Sequence, residues 1–352
     1  MRRVLAAMGA LALLAGAAAG LFFFLGGYNV AASAGHWAVV KWLVPIVRDQ
    51  SIARRAPGTA PALDDAARIR LGAGHFASEC AVCHGIPGQP LPANAAAMTP
   101  PPPHVSTLAE DRTPEELFWI VRHGIKMTGM PAWLAPARED EVWSVVAFLQ
   151  QTGGMTREDY RRLAYGPDWP ASDDSVLATC ARCHGLDGHG RDMRALPILA
   201  GQKPGYLANA LRAFRSGERH SGIMQAVATA LRNGDIRRLA RHYGEARRNP
   251  LPPPPTSEML ERGRALARDG SAGRKIPACS ACHGPWPEKR NPFFPDLRGQ
   301  PADYIRTQLH LFKAGERGGS EYRELMRPVA RVLTDEDIEA VAAYYASLSP
   351  AE

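Results

Sequence analysis

The chain is poor in the features that most functional classes need. No cysteine stands apart, because all six fall in pairs at Cys80/Cys83, Cys180/Cys183 and Cys279/Cys282. No sustained Lys/Arg block accompanies the formal charge of +7, which is 42 basic residues against 35 acidic ones, so no nucleic-acid partner is indicated. A second apolar run long enough to cross a bilayer is missing and the mean hydropathy is negative, which excludes a multi-span membrane protein. No alternating strand pattern occurs. Every start, stop and period signal is helical, and the expectation is an all-α fold. With 45% apolar and 22% charged residues over 352 positions the composition is globular, enough for two or three domains, and wholesale disorder is excluded.

Arg2 and Arg3 precede Val4 to Leu25, 22 residues without a charge. As a helix that run extends roughly 33 Å against a hydrocarbon core of about 30 Å. It exceeds the roughly 7 to 15 residues of a signal-peptide core, although Ala32-Ser33-Ala34 fits a small-residue cleavage pattern. A retained anchor over residues 1–27 is the expectation and a cleaved signal the alternative. Basic residues before the run and none for many positions after it place the chain in a bacterial inner membrane as a single pass, with the bulk in the periplasm. Within a membrane-proximal segment, 28–61, the apolar stretch Trp37 to Val47 is too short to span and holds Lys41 and Pro45. It suits the membrane interface or packing against the next domain.

What the chain does have is one motif three times. Each Cys pair encloses two residues and is followed by His and then Gly, at Cys80 to Gly85, Cys180 to Gly185 and Cys279 to Gly284. This is the attachment signature of a c-type haem. Two thiols one helical turn apart can each form a thioether to a haem vinyl group, while the adjacent imidazole sits under the iron. Cys80, Cys83, Cys180, Cys183, Cys279 and Cys282 are therefore the expected attachment points of three haems, and His84, His184 and His283 their proximal ligands. A thioredoxin-like pair or half of a zinc site would not need the His, and no further cysteine exists to complete a tetrahedron. Two propionates on each haem would bring the formal +7 to about +1 before charge on the irons is counted.

The repeats extend beyond the motifs. Residues 201–219 align without gaps on 299–317, sharing eight positions that include Tyr206/Tyr304, Phe214/Phe312 and Gly217/Gly315, so the second and third units are internal duplicates. A closing helix in each unit carries an i, i+3, i+4, i+7 apolar stripe: Val142, Val145, Val146, Leu149; then Ile236, Leu239, Ala240, Tyr243; then Ile338, Val341, Ala342, Tyr345. Thr334 with Asp337, and Thr113-Pro114 with Glu116, have capping-box spacing. Pro167 to Pro170 and Arg248 to Thr256 read as stiff connectors, whereas Pro100 to Pro103 lies inside the first unit as haem lining. Domains are expected at 62–155, 171–248 and 256–350.

A haem that only passes electrons needs its sixth position filled, and Met does this while raising the potential. Candidates lie 40 to 46 residues after each proximal His. Met224 is selected in the second unit, because Met193 follows its Gly-rich loop too closely to fold back; Met326 is the only Met after His283. Leu231 and Leu333 stand seven residues beyond them. In the first unit Met98, Met127 and Met130 are all available. Met127 has Leu134 in that register, but Met130, in a turn beside Pro131, is preferred. His36, His75, His104, His123, His189, His220, His242 and His310 are alternative sixth ligands. The free N–H of a proximal imidazole normally meets a carbonyl, and Pro197 and Pro295, each in a Pro-x-Leu-x-Gly-Gln segment, are good positions for one. Tyr206 and Tyr304 suit propionate hydrogen bonds or ordinary helix packing.

From about Ser175 onward, CHGLDG, LPILAGQ, YLANALRAFRSGER and IMQAVATAL, then CHG, FPDLRGQ, YIRTQLHLFKAGER and LMRPVARVLTDEDIEAVAAYYASL, resemble the two halves of diheme cytochrome c4. The resemblance implies class I cytochrome c folds related by a pseudo-twofold, an electron-carrier role toward respiratory oxidases, and the axial pairs His184/Met224 and His283/Met326. The first unit, with GIKMTGMPAW, EVWSVVAFLQ and Tyr28 to Ala32, is similar to membrane-anchored single-haem class I cytochromes, whose habit supports Met130. The architecture implied is three class I cytochrome c domains in tandem after a transmembrane helix. Two departures stand out: little chain precedes Cys180 for a first helix, and the closing helix of the second unit is Arg-rich (Arg232, Arg237, Arg238, Arg241, Arg247, Arg248), read as a solvated face rather than a docking patch. The expected function is a membrane-anchored triheme electron carrier of a respiratory chain, delivering to a terminal oxidase and not itself an enzyme. One alternative is the cytochrome subunit of a periplasmic dehydrogenase. Another is a haem peroxidase or reductase, which would need an open sixth position that the matching Met residues argue against.

Overall fold

The computed structural model describes residues 1–167, 169, 173–250, 257–284, 291–319 and 322–349. Parts of both expected connectors, 168 with 170–172 and 251–256, lie outside the described residues. Among the described residues the structure is helical, with no strand beyond one isolated bridge between Ser271 and Ile276.

Helix α1 (Arg2–Phe24) is the one described helix long and apolar enough to cross a membrane, and none of it is buried. Helix α2 (Ala38–Arg55) takes in the second apolar stretch and continues past it. Trp42, Leu43, Val44, Ile46 and Val47 in its first half are exposed, while Ile52 in its second half is buried. There Asp49 pairs with Arg112, just ahead of α6 (Pro114–His123). The hydrogen bond from Arg48, helped by Arg112, outweighs the burial of Asp49, so its carboxyl is held below the ordinary aspartate value.

Three hydrophobic cores follow. The first is built by α3 (Ala66–Glu79), α6, α7 (Glu139–Leu149) and α8 (Arg157–Tyr165), with Phe76, Phe148 and Tyr160 at its centre. Tyr160 and Ala164 are buried in it, so this core takes in residues past 155. The third is built by α13 (Glu258–Asp269), α15 (Ala302–Ala314), α16 (Arg323–Val332) and α17 (Asp335–Ser347). In the first core α3 and α7, and in the third α13 and α17, cross at near contact. A Cβ on Gly72 would lie 1.8 Å from the Ser144 carbonyl oxygen, and one on Gly263 would lie 2.1 Å from that of Ala340. Only glycine lets the backbones approach so closely.

The second core, from α10 (Pro204–Arg215) and α12 (Asn233–Glu245) beside α9 (Ser175–His184), has no separate first helix. Asp174 caps α9 through the Val176 and Leu177 amides at 3.0 and 3.1 Å, and the attachment motif lies in the same helix. Helices α3 and α8 of the first core pack against α9. All twelve residues of the three closing-helix stripes are buried. Both expected capping boxes form, Thr113 with Glu116 and Thr334 with Asp337.

The second and third cores meet through reciprocal contacts of equivalent residues. Gln202 donates to the Asp296 carbonyl and accepts from the Asp296 amide, both at 2.9 Å. Gln300 does the same with Ile198, at 2.8 and 3.0 Å. Arg248 departs from the expected solvated face. Its side chain is 7% exposed and donates to the Ala200 and Arg298 carbonyls at 2.6 and 2.9 Å, joining the two cores. Arg232, Arg237, Arg238, Arg241 and Arg247 are exposed.

Candidate haem sites

Each attachment motif ends a helix: α4 (Ala81–His84), α9, and α14 (Ser280–His283). The Gly after each His has φ of +69°, +74° and +95°, a backbone that a side chain would strain, and it turns the chain sharply away at the same point three times. The six thiols are unpaired. Burial pushes Cys80 up to about 12 and Cys180 and Cys279 to about 11. Burial thus keeps these three as neutral thiols at neutral pH.

The imidazoles share a second feature. His84 Nδ1 lies 2.8 Å from the Pro103 carbonyl oxygen and His283 Nδ1 lies 3.0 Å from that of Pro295. A carbonyl can only accept, so Nδ1 carries the proton and Nε2 is left with its lone pair for a metal. His184 has the Pro197 carbonyl nearby, which opposes part of the effect of burial, yet its geometry falls short of a formed hydrogen bond. Burial lowers His84 and takes His184 to about 4, so both are neutral at neutral pH, as iron ligation requires. Pro103 was not singled out in the sequence as this acceptor, because the first unit has no Pro-x-Leu-x-Gly-Gln segment; its signal was the proline run.

The methionines fall into distinct settings. Met127 is fully exposed and has φ +60°, so nothing in the first core faces its sulfur. Met130 is half-buried, its amide donating to Thr128 Oγ1 at 3.1 Å, and Met98 lies beside the adjoining Gly129. Met224 is half-buried in the first turn of α11 (Gly222–Thr229), with its amide donating to Ser221 Oγ at 3.1 Å. Met326 is half-buried in α16 against the third core, and Met193 is fully packed.

Several histidines have structural partners instead. His104 accepts from the Ser106 amide and donates to the Gln89 carbonyl; His242 donates to the Leu186 carbonyl. His36 bonds Tyr28. His75 is buried within the protein, where burial and then Arg138 lower it to about 4.

Where the second and third cores meet, two guanidiniums share one acceptor. Arg219 is buried and donates to Tyr304 Oη at 3.0 Å and Gln308 at 3.3 Å, and Arg317 donates to the same Gln308 at 2.7 Å. Neither guanidinium has a carboxylate within ion-pair distance among the described residues. Burial, then the neighbouring Arg219, lowers Arg317 to about 10. Tyr206 stands beside Tyr304 in this cluster. Two such guanidiniums call for anions, and haem propionates would meet that demand. The residues present fit the group that the motifs imply.

The family described as cytochrome c oxidase, cbb3-type, subunit III matches residues 67–149, and the family described as cytochrome c matches residues 260–349. A thiosulfate dehydrogenase electron acceptor from Thiomonas intermedia is 37% identical over 52% of this chain and 84% of its own length. A cytochrome c4 from Pseudomonas aeruginosa is 30% identical over 53% of this chain and 92% of its own. The solved structure of reduced recombinant cytochrome c4 from Pseudomonas stutzeri aligns at 29% identity with a TM-score of 0.45, over 50% of this chain and 98% of that one.

Proposed function

We propose, from the premise that the chain belongs to the diheme cytochrome c4-like family of electron carriers, that it is a membrane-anchored periplasmic cytochrome with three c-type haems. The observation that carries this reading is the threefold attachment motif, in which two of the three imidazoles donate Nδ1–H to a proline carbonyl. In this reading Cys80/Cys83, Cys180/Cys183 and Cys279/Cys282 hold the haems, and the axial pairs are His84/Met130, His184/Met224 and His283/Met326.

A c-type haem supplies a one-electron iron couple. The protein's part is to keep the imidazoles neutral and fixed in orientation, to exclude water with the buried stripes, and to offer thioether sulfurs that favour the reduced state. No bond-making residues are required. The likeness to electron acceptors of thiosulfate dehydrogenase supports entry of electrons from a periplasmic dehydrogenase. The likeness of residues 67–149 to an oxidase subunit family, together with α1, supports delivery to a membrane-bound terminal oxidase.

Electron paramagnetic resonance of the ferric holoprotein, with a haem-to-protein count, tests the reading. Three low-spin haems per chain are expected. A high-spin haem that binds small exogenous ligands would overturn the carrier reading in favour of an enzyme.

A further inference from the structure

The first and second cores share a buried carboxylate that electron carriage as described does not use. Glu141 occupies the first turn of α7, where an acid ordinarily sits in solvent and complements the helix dipole, yet it is 4% exposed. Trp133 Nε1 and the Gly222 amide both donate to its Oε2, at 3.1 and 2.7 Å. Ser221 Oγ donates to Oε1 at 2.6 Å, and Arg138 Nη1 lies 2.9 Å from the same oxygen.

These donors come from both cores, and from particular places in them. Trp133 stands three residues after Met130. Ser221 and Gly222 stand three and two residues before Met224, and Ser221 Oγ also accepts from the Met224 amide. Trp133 and Gly222 touch so closely that a Cβ on Gly222 would lie 2.2 Å from the indole Cε2. The two methionine-bearing segments are thus pressed together and tied to one carboxylate.

We infer that Glu141 is a positioning residue for two sixth-ligand segments at once, clamping the turn that carries Met130 to the helix start that carries Met224. The inference rests on the reading of those two methionines as axial ligands. A thioether is a weak, neutral ligand, so its hold on iron depends on how firmly the backbone a few residues away is kept in place. Buried donors cannot release the carboxylate without being left unsatisfied, which makes this backbone stiff. A glutamine would offer one acceptor oxygen where two now serve four donors, and its amide nitrogen would face the two donors on the other side.

The test uses the full-length holoprotein. Glu141→Gln is compared with wild type by the Met–iron(III) charge-transfer absorption and by the midpoint potentials of all three haems. Arg70→Ala serves as control, because it loses a different contact between the same two cores, a 2.8 Å bond to the Arg191 carbonyl. Glu141→Gln is expected to weaken the absorption and to shift two of the three couples, each by about tenfold in its reduction equilibrium, or about 59 mV for one electron. Arg70→Ala should change neither. Two unshifted couples and an unchanged absorption in Glu141→Gln would overturn the inference, as would an equal effect of Arg70→Ala. If Glu141→Gln does not accumulate with three haems, Ser221→Ala decides: one shifted couple supports the clamp, and none overturns it. Met224→Ala separates the two levels. If it leaves the absorption unchanged, the ligand reading fails and takes the clamp with it. If it removes one haem's share while Glu141→Gln does nothing, the ligands stand and the clamp alone falls.

Discussion

A proline carbonyl beyond the attachment motif sets the tautomer of the imidazole in the first and third units, Pro103 for His84 and Pro295 for His283. At this scale the motif residues were legible because their chemistry is local: two thiols and an imidazole within five positions. The methionines were proposed from distance along the chain alone. Met127 is fully exposed at φ +60° and Met130 half-buried, a difference that the Leu-at-seven register does not display. Replacing Met224 or Met326 by Ala is expected to turn one haem high-spin. The same change should lower that haem's potential by on the order of 0.1 V within the roughly 0.8 V that axial ligation commands. An unchanged ferric spectrum in both variants would refute the assignment. Glu141 was not legible, because an acid in the first turn of α7 looks like an ordinary dipole complement until the second core covers it.

At the scale of the element, the helix ends are set by capping chemistry that a sequence displays openly. Helix α17 begins with Thr334 and Asp337 exchanging hydrogen bonds at 3.2 and 3.1 Å. Asp337 also takes Arg262 at 2.8 Å and Arg274 at 2.5 Å, so one carboxylate ties α17 to α13 and to the turn after it. Burial acts to raise the Asp337 pKa, but Arg274 and Arg262 outweigh it and hold the carboxyl well below the usual aspartate value. A folded pKa below the unfolded one stabilises the fold above about pH 4, and that contribution is lost as pH falls toward the folded value. Asp337→Asn is expected to cost about 1–2 kcal/mol at neutral pH. Thermal unfolding followed against pH should show the gap from wild type closing in acid; a pH-independent gap would rule out the charged form as the source. The sequence also showed too little chain before Cys180 for a first helix, but not that α3 and α8 of the first core pack against α9.

At the scale of the whole molecule, duplicated segments become a reciprocal interface. Gln202 and Gln300, equivalent in the repeat, each hold the backbone of the other core, and Arg248 joins the same two cores from the end of the Arg-rich stretch. The chain's other end is α1, apolar and bare, followed by α2, whose first half exposes apolar side chains and whose second half buries Ile52. Exchanging residues 1–27 for a cleavable signal peptide is expected to move the protein from the membrane to the soluble periplasmic fraction with its haems still bound. The unaltered protein found in the soluble periplasm with its N-terminus cut near Ala34 would show a cleaved signal in place of an anchor.

The sequence by itself determined the attachment chemistry, the helical class, the duplication and the closing-helix stripes, because each is written in residues close together or at fixed period. The proline acceptor in the first unit, the exposure of Met127 and the burial of Arg248 and Glu141 were decided only by the tertiary structure. Glu141 meets Ser221 80 positions away, Arg248 meets Ala200 and Arg298 48 and 50 positions away, and even Pro103 stands 19 positions from His84, so no pattern local to any of them encodes the approach.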